Sequence, residues 1–277
     1  MLPPPQRPPL VEPAPPARRH AARLRGRVFG GRVLATEVVA SSFVDATVVG
    51  HDLARARTVR MRLAWPELTR LPGYAEAFVA TAERAARVRH PDVLVVRDFG
   101  VEPGQDDDGP WASSITDASE GMPLSTRLAL LPRWSWRRSR AFGVRLAQAL
   151  GAVHDEGVLL GAVALDDVHV VGPADGERPQ LDLGIARCAC FDAPAGRMPW
   201  AMRRDPGTLC APEIDRSPAD RRADVWLVGA LLRRLLAADA RMPPRARAVL
   251  DRLDDPDPDR RPRDLGEVEV ALASAPD

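Results

Sequence analysis

Apolar residues fall at every second position across residues 57–63, where Val59, Met61 and Leu63 alternate with polar neighbours. That period predicts a strand with one buried face. Across residues 32–49 the β-formers Val33, Leu34, Val38, Val39, Phe43, Val44, Val48 and Val49 dominate with little helical period, which predicts extended chain. Residues 74–88 predict a helix with Phe78, Ala82 and Ala85 on one side, stopped at His90-Pro91-Asp92 because proline disfavours helix in the residue before it. Strands are expected at 93–99 and 111–116, with a Gly/Asp-rich loop at 104–109 between them.

The second half reads differently. Residues 138–154 carry a long helical period that ends at Glu156-Gly157. Short strands are expected at 158–160, 168–171 and 181–183, and a loop over about 186–212. Residues 223–236 are apolar enough for a buried helix, 245–253 are amphipathic and 265–272 form a last helix. A strand-rich front and a helix-rich back predict two lobes of an α+β protein. Residues 1–27 read as a disordered tail: eight of the first sixteen are proline and Arg18, Arg19, Arg23, Arg25 and Arg27 follow. Such a stretch buries too little apolar surface to offset its ordering entropy. It reads as a solvated tail, with a polyproline ligand or a basic tether as alternatives.

Composition changes the picture in one respect. All 39 basic residues are Arg, against 38 acidic residues, and the chain contains no Lys and no Asn. Codon bias in a GC-rich genome is the plain reading of this, with selection against lysine as the alternative. Chemistry that needs a lysine ammonium or an asparagine amide from this chain is excluded. A net charge of +1 argues against a dedicated nucleic-acid binder. No apolar run approaches the roughly 20 residues of a membrane span, and a cytoplasmic location is expected. Cys188, Cys190 and Cys210 lack CxxC spacing, which fits reduced thiols in or beside a loop rather than a metal site.

Six segments in order resemble the bacterial serine/threonine protein kinase family. They are Val88-Arg89-His90-Pro91-Asp92-Val93 with Arg97-Asp98-Phe99-Gly100, Ala152-Val153-His154-Asp155-Glu156-Gly157, Asp182-Leu183-Gly184-Ile185-Ala186-Arg187, Gly207-Thr208 with Ala211-Pro212-Glu213, Ala223-Asp224-Val225-Trp226 with Gly229, and Asp257-Pro258-Asp259-Arg260-Arg261-Pro262. The resemblance implies a protein kinase-like fold, with an N-lobe over 28–120 and a C-lobe over 121–277, the helix called G being shortened or missing. It also implies which positions once served phosphoryl transfer.

Several of those positions carry other residues. The three glycines of the phosphate loop align with Ala40, Ser42 and Asp45, and the Asp45 carboxylate would meet a nucleotide's negative charge. The strand lysine falls on Arg62, and its helix glutamate on Thr81, with Glu83 turned about 200° away. The catalytic aspartate falls on Ala162, which accepts no proton, so no catalytic residue is assigned. Asp167 stands at the metal-binding asparagine position, and Asp182 keeps the aspartate of the Asp-Phe-Gly motif. Arg62 and Asp182 are therefore the candidates for residual nucleotide binding, and Asp167 and Asp182 for residual metal binding. The plain alternative is that Asp166 and Asp167 are turn residues.

Glu213 with Arg261, and Asp224, match groups that support the family fold. The expectation is a pseudokinase without cofactor, a protein-binding, scaffolding or regulatory module in bacterial signalling. The alternative is a divergent kinase using ATP and Mg²⁺, with Asp166 or Asp155 as its base. His154 and His169 read as structural, and Trp134 and Trp136 as core packing or an aromatic-basic partner patch.

Overall fold

The computed structural model describes residues 23–104, 109–173, 176–192, 207–215, 219–237 and 241–277. Six strands build one sheet: β1 (Val28–Phe29), β2 (Val33–Ser41), β3 (Asp45–Asp52), β4 (Arg57–Ala64), β5 (Val96–Glu102) and β6 (Trp111–Asp117). Their order is β1-β2-β3-β4-β6-β5, and every neighbouring pair is antiparallel.

The alternation in β4 decides what the sheet offers to each side, because successive side chains leave opposite faces. Val59, Met61 and Leu63 join Phe29, Val33, Val48, Trp65 and Trp111 in a core on one face. Arg60 and Arg62 necessarily leave the other face. That face meets the helical lobe.

A short helix α1 (Pro66–Thr69) leads into α2 (Tyr74–Ala85). Tyr74, Phe78, Ala82 and Ala85 recur at helical spacing and are buried. Past the sheet come β7 (Met122–Pro123), α3 (Leu124–Leu130) and α4 (Trp136–Asp155). Then follow β8 (Ala162–Ala164), β9 (Val168–Val171), β10 (Arg178–Leu181), α5 (Ile185–Asp192) and β11 (Thr208–Cys210). The chain ends in α6 (Arg221–Leu235), α7 (Pro244–Leu253) and α8 (Leu265–Ser274). The larger core joins Val44, Val96 and α2 to α4, α6 and α8.

The two-lobed α+β expectation holds, and several local expectations change. Residues 1–22 lie outside the described residues, but the last part of the expected tail is packed. Leu24 is buried in the sheet's outer core, and Gly26 and Arg27 exchange backbone hydrogen bonds with Ala35. The strand expected at 158–160 is irregular chain, because Leu160 and Gly161 give their N–H groups to a side chain, Asp224, instead of a strand neighbour. The loop expected from 186 opens with α5, so Cys188 and Cys190 sit buried in a helix. Residues 193–206 of that loop and 105–108 of the Gly/Asp-rich loop lie outside the described residues. Between α6 and α7 the described residues contain no further helix.

Trp134 and Trp136 are core. Trp136 Nε1 donates to the Pro276 carbonyl at 2.7 Å, and the Trp134 ring packs between the guanidinium groups of Arg127 and Arg138. Two supports of the C-lobe lie where the resemblance puts them. Arg261 holds Glu213 bidentately at 2.6 and 2.9 Å. Asp224 accepts the Leu160 and Gly161 N–H groups at 2.9 and 2.7 Å and lies 2.7 Å from His154 Nε2. His154 is therefore a positioning group for the β8 approach.

Candidate functional site

Between the inner face of the sheet and the C-lobe lies a cleft, and the candidate residues converge in it. β4 is central, with Arg62 opposite Thr47 of β3 on one side and Ser114 of β6 on the other. This fixes the Arg62 side chain over the middle of the cleft. Its Nε and one Nη donate to Asp45 Oδ2 at 2.9 and 2.6 Å. Its other Nη donates to Asp167 Oδ1 and lies 3.7 Å from Asp182 Oδ2. A planar fork can satisfy two carboxylates at once, which an ammonium on a single stem does less well.

Two arginines that the sequence reading did not assign complete the cluster. Arg60, two positions along β4, donates from Nε to Asp182 Oδ2 at 2.8 Å. Arg187 enters from the first turn of α5 and pairs with Asp167 and, at 3.8 Å, with Asp45. Three carboxylates thus meet three guanidinium groups. The period of β4 was the available signal for Arg60, since any residue two from Arg62 shares its face. Arg187 ends the segment that resembles the Asp-Phe-Gly region, but nothing local assigns it a partner in the cleft.

Asp45 stands where the resemblance puts the last phosphate-loop glycine. Here the β2–β3 connection is a tight turn. Ser42 N–H donates to the Asp45 carbonyl, Ser42 Oγ donates to Asp45 Oδ1 at 2.7 Å, and Trp65 Nε1 donates to the Ser42 carbonyl at 2.8 Å. The turn carries a carboxylate into the cleft rather than opening backbone N–H groups toward it.

Electrostatics follow the contacts. Burial pushes the Asp45 carboxyl up, but Arg62, Arg187 and the Ser42 hydroxyl together pull it below the ordinary carboxylate value. Burial also pushes Asp182 up, and Arg62, Arg60 and His169 bring it below its ordinary value. Burial lowers Arg62, and Asp45 and Asp182 raise it above the usual guanidinium range. All three remain ionised near neutrality. His169 on β9 goes the other way: burial and then Arg60 push it down to about 4, against Asp182 and Asp166. It is neutral at pH 7.

The remaining positions have other partners. Thr81, at the helix-glutamate position, donates to Asp192 at the end of α5 at 2.5 Å, and Glu83 is exposed. Ala162 is buried in β8, opposite Cys210 of β11. Asp155 is exposed at the end of α4, and Asp166 accepts from Ser125. Cys188 Sγ donates to the Leu183 carbonyl at 3.0 Å and Cys190 Sγ to Ala186 at 3.3 Å. Burial pushes both thiols up to about 12, and Cys210 lies on β11 rather than in α5.

ATP and Mg²⁺, which the resemblance implies, do not fit these residues as arranged. Asp167 and Asp182 are oxygen donors of the right chemistry for a hard cation, yet each already holds a guanidinium group. Beside Asp45 and Arg62 a cavity of about 70 Å³ remains. A larger one, about 400 Å³, adjoins it between Val39, Val49, Arg60, Ser119 and His169.

No protein-family model matches the chain. Among curated proteins it is similar to the serine/threonine-protein kinase pkn2 of Myxococcus xanthus, with 26% identity over 76% of this chain and 25% of the relative. It is also similar to the serine/threonine-protein kinase PknA of Mycobacterium tuberculosis, with 27% identity over 74% of this chain and 46% of the relative. The chain spans a quarter to under half the length of these relatives. Among solved structures, the PknI kinase domain of Mycobacterium tuberculosis superposes with a TM-score of 0.63 over 90% of this chain and 97% of that one, at 20% identity. A double mutant of that domain gives 0.66 at 22% identity. The chain therefore has the protein kinase-like fold, and its sequence relatives are bacterial serine/threonine protein kinases.

Proposed function

We propose that this chain is a kinase-fold module that acts by binding protein, as a scaffold or regulator in bacterial signalling, without transferring phosphate. The observation that carries the reading is the state of the two candidate metal carboxylates. Asp167 is bonded to the buried guanidinium group of Arg62, and Asp182 to that of Arg60, which is 11% exposed at the edge of the cleft. Ala162 supports it, since a methyl group neither accepts the proton of an acceptor hydroxyl nor orients it. Purified chain with labelled ATP and Mg²⁺ is expected to label neither itself nor a general protein acceptor. Label that appears, and disappears in Asp182→Ala, overturns the reading.

A second reading is a divergent serine/threonine kinase that keeps ATP and Mg²⁺. Two observations favour it: the relatives are named as kinases, and a cavity of about 400 Å³ remains beside the cluster. Saturable, Mg²⁺-dependent stabilisation by ATP together with transfer would establish it.

A further inference from the structure

The charge cluster has an arrangement that neither reading requires. Asp45, Arg60 and Arg62 come from the sheet, and Asp167, Asp182 and Arg187 from the C-lobe. Arg60–Asp182, Arg62–Asp167, Arg62–Asp182 and Arg187–Asp45 all cross between the lobes. Arg62–Asp45 and Arg187–Asp167 close the circuit within each lobe. Three negative and three positive groups balance with no external ion. All but Arg60 are at most 4% exposed, and Arg60 is 11% exposed.

We propose that this cluster is a built-in occupant of the cleft, which holds the two lobes closed without nucleotide. Guanidinium groups stand against the carboxylates that would face a metal, and the Asp45 carboxylate stands where a phosphate would lie. A buried charge deprived of its partner is strongly unfavourable, so separating the lobes would expose or strand several charges together. The cluster therefore acts as one latch rather than as independent bridges. Two further contacts reinforce it at the α2–α5 seam: Tyr74 Oη donates to the Ala186 carbonyl at 2.9 Å, and Thr81 Oγ1 to Asp192. A rigid lobe arrangement suits a docking module, because its surface is then presented in one geometry. The inference rests on the non-catalytic reading only in holding that Mg–ATP is not what closes the cleft.

The test compares small-angle scattering and amide hydrogen exchange of the full chain with and without millimolar Mg–ATP. The expected result is one scattering curve, and the same strong protection of β3, β4 and β9, in both conditions. The double variant Asp45→Asn/Arg62→Met removes one balanced pair. It is expected to lower protection of those strands at least about tenfold while α4 and α6 keep theirs. Should that variant fail to fold, Arg60→Met cuts one bridge at the cluster's edge and is expected to loosen the same strands by a smaller factor.

An unaltered chain whose lobes are open and close on adding Mg–ATP overturns the latch, and so does unchanged protection in the variant that folds. Phosphate transfer by a chain that is closed in both conditions overturns the non-catalytic reading and leaves the latch standing. Open lobes without transfer overturn the latch alone.

Discussion

At position 62 the choice between two cations decides the chemistry. The family resemblance calls for lysine there, and Arg62 instead bridges Asp45 and Asp167. Arg62→Lys is expected to leave the chain without phosphate transfer and to lower stability by about 1–3 kcal/mol, because a single ammonium cannot span both carboxylates. Urea denaturation reads the stability, and an unchanged midpoint would remove Arg62 as the hub. Asp167 contributes in the same way: a carboxylate at the asparagine position can carry two guanidinium groups, which a neutral amide does less well. His169 supplies a pH prediction. Its value is lowered from 6.5 to about 4 in the fold, so between those limits the unfolded chain binds the proton more readily. Its stabilising share is whole above about pH 6.5 and declines as pH falls toward 4. His169→Leu is expected to flatten that part of the stability profile, by up to about 3 kcal/mol in total. Equal slopes in the two proteins would show that the imidazole is not the titrating group. Arg62, Asp45, Asp167 and Asp182 were legible in the sequence as positions, through the resemblance. Their mutual contacts were not, because partners 17 to 120 residues apart meet only through the tertiary fold.

Elements with a long, clean period were legible: β4 by alternation, and α4, α6 and α7 by helical recurrence. Short or externally fixed elements were not. β8 and β11 have three residues each and exist by pairing with one another, so neither carries a pattern of its own. The segment Ile185–Asp192 mixes small, charged and aromatic residues after a glycine and reads as loop. It is helical because Tyr74 and Thr81 of α2 hold its first and last turns. This gives a thiol prediction. Cys188 and Cys190 are buried with values pushed up to about 12, so neither is expected to react with a thiol reagent in native protein. In denaturant all three cysteines should react, and rapid native modification of either residue would mean that α5 is detached. At the other end of the chain, the proline pattern hid the anchor at Leu24, which the outer sheet core buries completely. Leu24→Ala is expected to cost about 2–5 kcal/mol, as for a core leucine. A cost near zero in a thermal or urea melt would return residues 23–27 to the tail.

Across the whole molecule, chain length, order of segments and the strand-rich front were enough to read two lobes, because a kinase-like fold carries its landmarks in sequence order. Which ion pairs hold that shape depends on burial, and distance alone misleads. Arg261 reaches Glu213 at 2.6 Å and Arg97 reaches Asp117 at the same 2.6 Å. The Arg261 side chain has 0% exposure against 45% for Arg97. Arg261 also donates to the carbonyls of Asp255 and Arg222 at 2.7 and 3.0 Å. It thereby ties the chain before α6 to the turn after α7. Arg261→Ala leaves the Glu213 carboxylate and the carbonyls of Asp255, Arg222 and Pro256 without that donor, and is expected to cost about 3–5 kcal/mol. Arg97→Ala leaves Asp117 exposed and still paired with Arg57 at 2.8 Å, and is expected to cost less than about 1 kcal/mol. Parallel urea titrations of the two variants decide the point. Equal shifts would mean that the Glu213–Arg261 pair is a surface bridge in solution, and that the C-lobe owes its shape to the apolar packing of α4, α6 and α8 alone.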